Sequence, residues 1–333
     1  MKNIKTILKD KHEELFAKKN IVATGIGYKI KKGRKTSTLA IICSVEKKVS
    51  LSELKTSDKI PSKFHGKPTD VVETGKIVAL EETNGNDRTA RWRPAPGGVS
   101  IGHPLITAGT LGCLVKKEGE VFILSNNHVL ANSNEANIGD PIIQPGTHDG
   151  GMSPDDNIAI LSNFIPISFL TNGDSSCPIV GFIVKILNAF ARILGRNSRL
   201  KGVAPRALNT VDAAIAKPLF GSHVKEEILE VGIPSGVVKG TLGLPIKKSG
   251  RTTGLTTGEI LQTNVIVNVG YGGSKIATFV DQLMAGAMSA GGDSGSVVLD
   301  NDNHLVGLLF AGSDTTTIIN RIENVFSGLG VNI

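Results

Sequence analysis

From Gly97 to Ile333, glycine and turn residues cut the chain into short apolar runs, and this texture limits the fold more than any other feature. Residues 110–116 and 121–124 read as a hairpin over Lys117-Glu118-Gly119-Glu120, and Ile142-Ile143 and 158–161 continue the pattern. It returns over 236–244, 258–269, 276–280, 296–299 and 305–310. Many short strands with frequent turns predict barrels or a sandwich, so the expected class is mainly β. Two six-stranded barrels with a site between them would use this length well.

Three stretches depart from that texture. Ile4, Ile7, Leu8, Leu15 and Phe16 fall near one stripe of an amphipathic helix over 1–20, and strands follow over 21–30, 38–45 and 70–73. Residues 1–76 are therefore expected to form a small α/β module, with 77–94 as a linker and 95–333 as the main domain. Inside that domain, 178–201 predicts a helical insertion of about four to five turns. Ile318, Ile319, Ile322, Val325 and Phe326 have helical spacing before Gly328, which predicts a closing helix.

The net charge of +7 is local. Residues 1–35 carry +8 and the other 298 sum to −1. No aromatic platform accompanies the lysines, which argues for a solvated basic module and against nucleic acid as a partner. Cys43, Cys113 and Cys177 are too far apart for a CxxC site, and their sparse, odd number fits a reduced compartment. The first ten residues lack a signal-peptide core, and no apolar run is long enough for a membrane span. A cytoplasmic protein without metal or cofactor is the expectation. Gly270-Tyr271-Gly272-Gly273 reads as a hairpin turn and fits no nucleotide-binding pattern.

Gly291-Gly292-Asp293-Ser294-Gly295-Ser296 precedes the strand-like Val297-Val298-Leu299. Its glycines permit a tight turn that exposes the Ser294 hydroxyl and aims backbone N–H groups at one point. A serine hydroxyl needs a base to act as nucleophile. His128, in Asn126-Asn127-His128-Val129-Leu130, follows a strand and has the ionisation range for the task. Of the other histidines, His103 is the nearest rival. For a carboxylate to orient the base, Asp212 in Asp212-Ala213-Ala214-Ile215 competes with Asp156 in Asp156-Asn157-Ile158-Ala159 and with Asp155. Small Ala214 favours Asp212. The order His, Asp, Ser is one of the known triad orders.

With these motifs, residues from about 95 to 333 resemble the trypsin-like, chymotrypsin-fold serine peptidases. The closer likeness is to the single-chain intracellular group of bacteria and plants. The stretches 250–258 and 306–312 resemble that group, and 1–76 resembles the accessory region preceding such domains. The resemblance implies a double β-barrel, His128, Asp212 and Ser294 as catalytic residues, and the N–H groups of Gly292 and Ser294 as the oxyanion hole. Met288 and Ser289 would lie at the primary pocket, and Phe310, Ala311 and Gly312 would bind extended peptide. Asp293 would be structural, with a Lys, Arg or backbone partner. The departures are Val129 where secreted relatives carry a cysteine, the helical insertion, and a pocket floor without an acidic residue.

The implied function is a serine endopeptidase acting on protein or peptide substrates through an acyl-enzyme. The alternative is a non-catalytic or conditionally active interaction protein on a peptidase fold. A basic module that responds to anions is a third reading. Self-association through the N-terminal module or the helical insertion is left open.

Overall fold

The computed structural model describes residues 3–31, 34–78, 87–170 and 208–333. The first helix, α1 (Ile4–Phe16), begins where the Asn3 side chain accepts the Lys5 N–H at 3.0 Å. Its apolar stripe buries Ile7, Leu8 and Leu15 against Ile26, Ile41 and Cys43 of β1 (Ile21–Lys31) and β2 (Arg34–Val45). Burial of each such side chain contributes about 1.5–3 kcal/mol, so a polar residue at Leu8 would detach the helix. β3 (Lys67–Glu73) lies parallel to β2. On its other side β1 pairs antiparallel with a strand of the main domain, Ala23 opposite Val267 and Gly27 opposite Gln262. The module's sheet is therefore continuous with the main domain.

The main domain is mainly β and contains two barrels. In the first, β4 (Cys113–Lys117) and β5 (Glu120–Ser125) form the expected hairpin, with Lys117 paired to Glu120. Glu118 and Gly119 both have positive φ (52° and 82°), as a two-residue turn matched to strand twist requires. β5 leads into a single helical turn, α2 (Asn127–Leu130). With β6 (Pro141–Ile143), β7 (Asn157–Phe164) and β8 (Ala214–Pro218), the sheet order is β6-β7-β8-β5-β4. Ser100–Ile101 pairs with Gly109–Thr110, and Gly102 exchanges both backbone bonds with Ile143, which closes the ring. Ile101, Leu111, Ile123, Leu130, Ile142 and Ile158 fill its interior.

The second barrel contains β9 (Pro245–Gly250), β10 (Gly254–Gly270), β11 (Ile276–Gly286), β12 (Val297–Leu299), β13 (His304–Ser313) and β14 (Thr316–Arg321). Pairing runs β9-β10-β11-β14-β13-β12 and returns to β9, a closed ring of six. The long hairpin β10–β11 is the element that receives β1.

Three expectations need revision. Ile318 and Ile319 belong to β14, because β11 and β13 flank both its edges and bury both side chains. The closing helix, α3, is Ile322–Leu329, and Gly330 (φ 68°), not Gly328, caps it. Of 236–244 only Gly236–Val237 is strand. The helix expected over 178–201 and the polar stretch 81–86 of the linker lie outside the described residues. Among the described residues no helix is long and apolar enough to cross a membrane.

Candidate active site

The site residues lie where the two barrels meet. His128 sits on α2 at the end of β5, and Asp212 sits two residues before β8, the strand paired with β5. Asp212 is fully buried and accepts from His128 twice: from Nδ1 at 2.6 Å through Oδ2 and from the backbone N–H at 3.2 Å through Oδ1. A carboxylate on Nδ1 fixes the tautomer and leaves Nε2 as the basic nitrogen. That Nε2 is buried with no hydrogen-bond partner among the described residues. Asn126 Nδ2 donates to Asp212 O at 2.8 Å, and Asn320 Oδ1 accepts the Asp212 N–H at 3.1 Å, which ties the aspartate to the second barrel.

The rival carboxylate is engaged elsewhere. Asp156 accepts from Arg91 Nε at 2.8 Å and from the Met152 N–H at 3.0 Å. His103 is buried and faces Asp140 at 3.3 Å.

Ser294 approaches the His128 turn through Gly109-Thr110. The Thr110 N–H donates to Ser294 O at 2.7 Å. A side chain on Gly109 would come within 2.4 Å of the Val129 side chain and 3.0 Å of Ser294 O, so the two segments meet across a position with no room for a Cβ. The Ser294 hydroxyl donates to Phe310 O at 3.4 Å, and Ser294 is only 1% exposed. Among the described residues, the N–H groups of Gly292 and Ser294 have no acceptor. Gly292 has φ 88°, and a Cβ there would lie 2.7 Å from Arg251 and 2.5 Å from the Thr252 hydroxyl, so only glycine fits the turn.

The loop is held by Asp293. Its carboxylate accepts from the N–H groups of Thr252 (2.9 Å) and Thr253 (3.1 Å), the Thr253 hydroxyl (2.6 Å) and the Ala290 N–H (3.0 Å). Lys248 Nζ lies 3.2 Å away, and both side chains are fully buried. Burial pulls the lysine amine below its ordinary value, while Asp293 and its hydrogen bond oppose that. Asp293 thus has the lysine and backbone partners expected of it. Behind the loop, Arg251 pairs with buried Asp149 of the first barrel, with Nε donating at 2.7 Å.

Tyr271 was expected only to turn a hairpin. Its hydroxyl donates to Asp212 Oδ2 at 2.8 Å, and its ring stands edge-on to His128 with centroids 5.7 Å apart. Burial first, and then the Asp212 charge, push the phenol well above its ordinary value, so it stays protonated and donates. A cleft of about 260 Å³ lies beside it, lined by Leu105, Ile106, Thr107, His128, Asn132 and Tyr271 among others.

Substrate-contact expectations divide. Met288 packs in the second barrel's core with Ile246, Ile260 and Val298, so its side chain fills core volume and does not face a ligand. Ser289 shares a hydroxyl hydrogen bond with Thr317 at 2.8 Å. The Phe310 and Ala311 side chains are also core, which leaves Phe310 O and the backbone of Gly312 for any peptide. Asp300, Asp302 and His304 have ligand-type atoms within 4.8 Å, but Asp300 already bonds to the His304 N–H, the His304 ring and the Asp302 N–H within the turn.

Residues 4–74 match the family described as the NARROW LEAF 1 N-terminal domain. No curated protein matches the chain. Among solved structures, the chain is similar to a glutamic acid specific serine protease with a histidine triad in substrate binding. That match has 20% identity and TM-score 0.46, and covers 72% of this chain and 100% of the other. Thermobifida fusca protease A matches at 15% identity and TM-score 0.45, with 72% and 98% covered. Nocardiopsis protease matches at 14% identity and TM-score 0.45, with the same coverage.

Proposed function

We propose that the protein is a serine endopeptidase that works through an acyl-enzyme, with His128, Asp212 and Ser294 as its triad. The 2.6 Å contact between His128 Nδ1 and buried Asp212 carries the reading, because it leaves a buried, unpartnered Nε2 on a turn that Gly109-Thr110 joins to the glycine turn of Ser294. In the proposed mechanism Ser294 Oγ attacks the scissile carbonyl carbon while its proton passes to His128 Nε2. The carbonyl oxygen becomes an oxyanion, and the N–H groups of Gly292 and Ser294 receive it. Loss of one such donor costs roughly 2.7–4 kcal/mol of barrier in serine peptidases. As the C–N bond breaks, the imidazolium returns the proton to the leaving amine, and the serine is left as an ester. Water then attacks that ester with His128 again as base, which restores the free hydroxyl.

Within that reading the chain fits the single-chain intracellular group. Residues 4–74 match a family described as an N-terminal domain, which supports an accessory role for that module, and among the described residues the buried thiols of Cys43 and Cys113 are free, which supports a reduced compartment. We therefore assign it to the cytoplasm, with unfolded protein or peptide as substrate and no cofactor in the mechanism. Labelling with a small fluorophosphonate tests the proposal. Wild type should label, while Ser294→Ala should not and His128→Ala should fall nearly as far. Equal labelling of wild type and Ser294→Ala would refute it.

A further inference from the structure

Gly312 does not present a free edge. The Val78 N–H donates to Gly312 O at 3.1 Å, and the Gly312 N–H donates to Val78 O at 3.0 Å. This reciprocal exchange is that of an antiparallel strand pair. The edge becomes available because β12 covers β13 only as far as Leu309, where Gly295 N–H meets Leu309 O and Leu309 N–H meets Ser296 O, both at 2.9 Å. A register shift against β14 between Leu309 and Ala311 then changes which groups face the Ser294 side. Phe310 O and both polar groups of Gly312 fall on that side, as their bonds to the Ser294 hydroxyl and to Val78 require. A peptide adding here as a strand would use these three groups. Val78 already holds two of them.

The segment leading into the pair is anchored as well. Thr74 O accepts from the Ser313 hydroxyl and from Thr315 Oγ1 at 3.1 Å. Ile77 is buried in one cluster with Phe279, Phe310 and Ala311. Val78 also bridges to Gly270, the neighbour of Tyr271.

We infer that residues 74–78 are a tethered occupant of the substrate edge, which holds the peptidase self-inhibited until an extended polypeptide displaces them. The inference rests on the peptidase reading above and names the regulation of that site. A covalently tethered strand competes at an effective concentration of order millimolar, and substrate meets only the fraction of molecules whose edge is open. The favoured substrates are chains that can add a strand through several consecutive residues. Folded proteins and very short peptides cannot displace the occupant.

Val78→Pro tests this, because it removes the donated N–H and cannot keep the strand pair. With an extended peptide substrate, KM should fall about tenfold at nearly constant kcat. Labelling by a small fluorophosphonate, which needs no bond to Gly312, should change by less than about twofold. An unchanged KM with both proteins labelled overturns self-inhibition and leaves the peptidase reading standing. Folded proteins that never label would remove the peptidase reading itself. Hydrogen exchange on the wild-type chain gives the same answer without a substitution. An extended peptide aldehyde bound at Ser294 should strip protection from the Val78 amide, and a Val78 amide that stays protected with the aldehyde bound also overturns the inference.

Discussion

Tyr271 and His128 share one oxygen. The tyrosine hydroxyl and His128 Nδ1 approach Asp212 Oδ2 at 2.8 and 2.6 Å, from residues 59 and 84 positions away in sequence. The carboxylate charge that steadies the imidazole is therefore divided between two donors. A hydrogen bond to a charged group is worth about 1.5–3 kcal/mol, so this partition is large enough to measure.

Tyr271→Phe should lower kcat/KM by roughly tenfold, toward the low end of that range. Steady-state kinetics and thermal melting of the variant check this. An unchanged kcat/KM would assign Tyr271 to structure alone.

Asp212→Asn should reduce turnover by roughly 10⁴-fold, the effect of a wrong histidine tautomer in chymotrypsin-type enzymes. Asp156→Asn should leave turnover nearly unchanged, because its carboxylate serves Arg91 and Met152. Steady-state kinetics on the two variants would decide, and the opposite ranking would contradict the arrangement described above.

Lys248→Met should destabilise the fold by about 3–5 kcal/mol, since it strands the buried Asp293 carboxylate without its cation. The same change should slow fluorophosphonate labelling, because Asp293 holds the turn that carries Gly292 and Ser294. Thermal melting and labelling measured together test this. Full labelling in a destabilised protein would separate the pair from the site.

Burial pushes the thiols of Cys43 and Cys113 up to about 12, with the charge of Asp70 adding to the effect at Cys43. Neither should react with iodoacetamide in the folded protein at pH 8. The folded state favours the neutral thiol, so this contribution to stability is present below about pH 9, the ordinary value, and is lost as pH rises toward 12. Mass spectrometry after alkylation and an alkaline unfolding series check both halves. Rapid labelling of either cysteine at pH 8 would show that it is not sealed in the core.

The strands and the local motifs were legible because each is written in a few adjacent residues. The turn at Glu118-Gly119, the glycines around Ser294 and the small residues after Asp212 all act on their near neighbours. Tyr271 was not legible, since its partner is fixed by the β10–β11 hairpin and by the pairing of Leu208–Asn209 with β11, not by anything local. Lys248 left a signal that went unread: it shares a strand face with Ile246, and both are buried. Ile318 and Ile319 misled because two adjacent apolar residues suit a helix stripe as well as a strand buried on both faces. Met288 misled because counting along a loop gives a position but not the direction of a side chain.

The Lys248–Asp293 pair also bears on the control of the peptidase proposed above. Both charges are buried in the same barrel, so the turn that carries Gly292 and Ser294 is held as soon as that barrel closes, and Asp293 needs no new amino terminus to neutralise it. On that reading a restraint on the site can be lifted and reimposed on the same molecule, which would make the activity resettable over the lifetime of the protein.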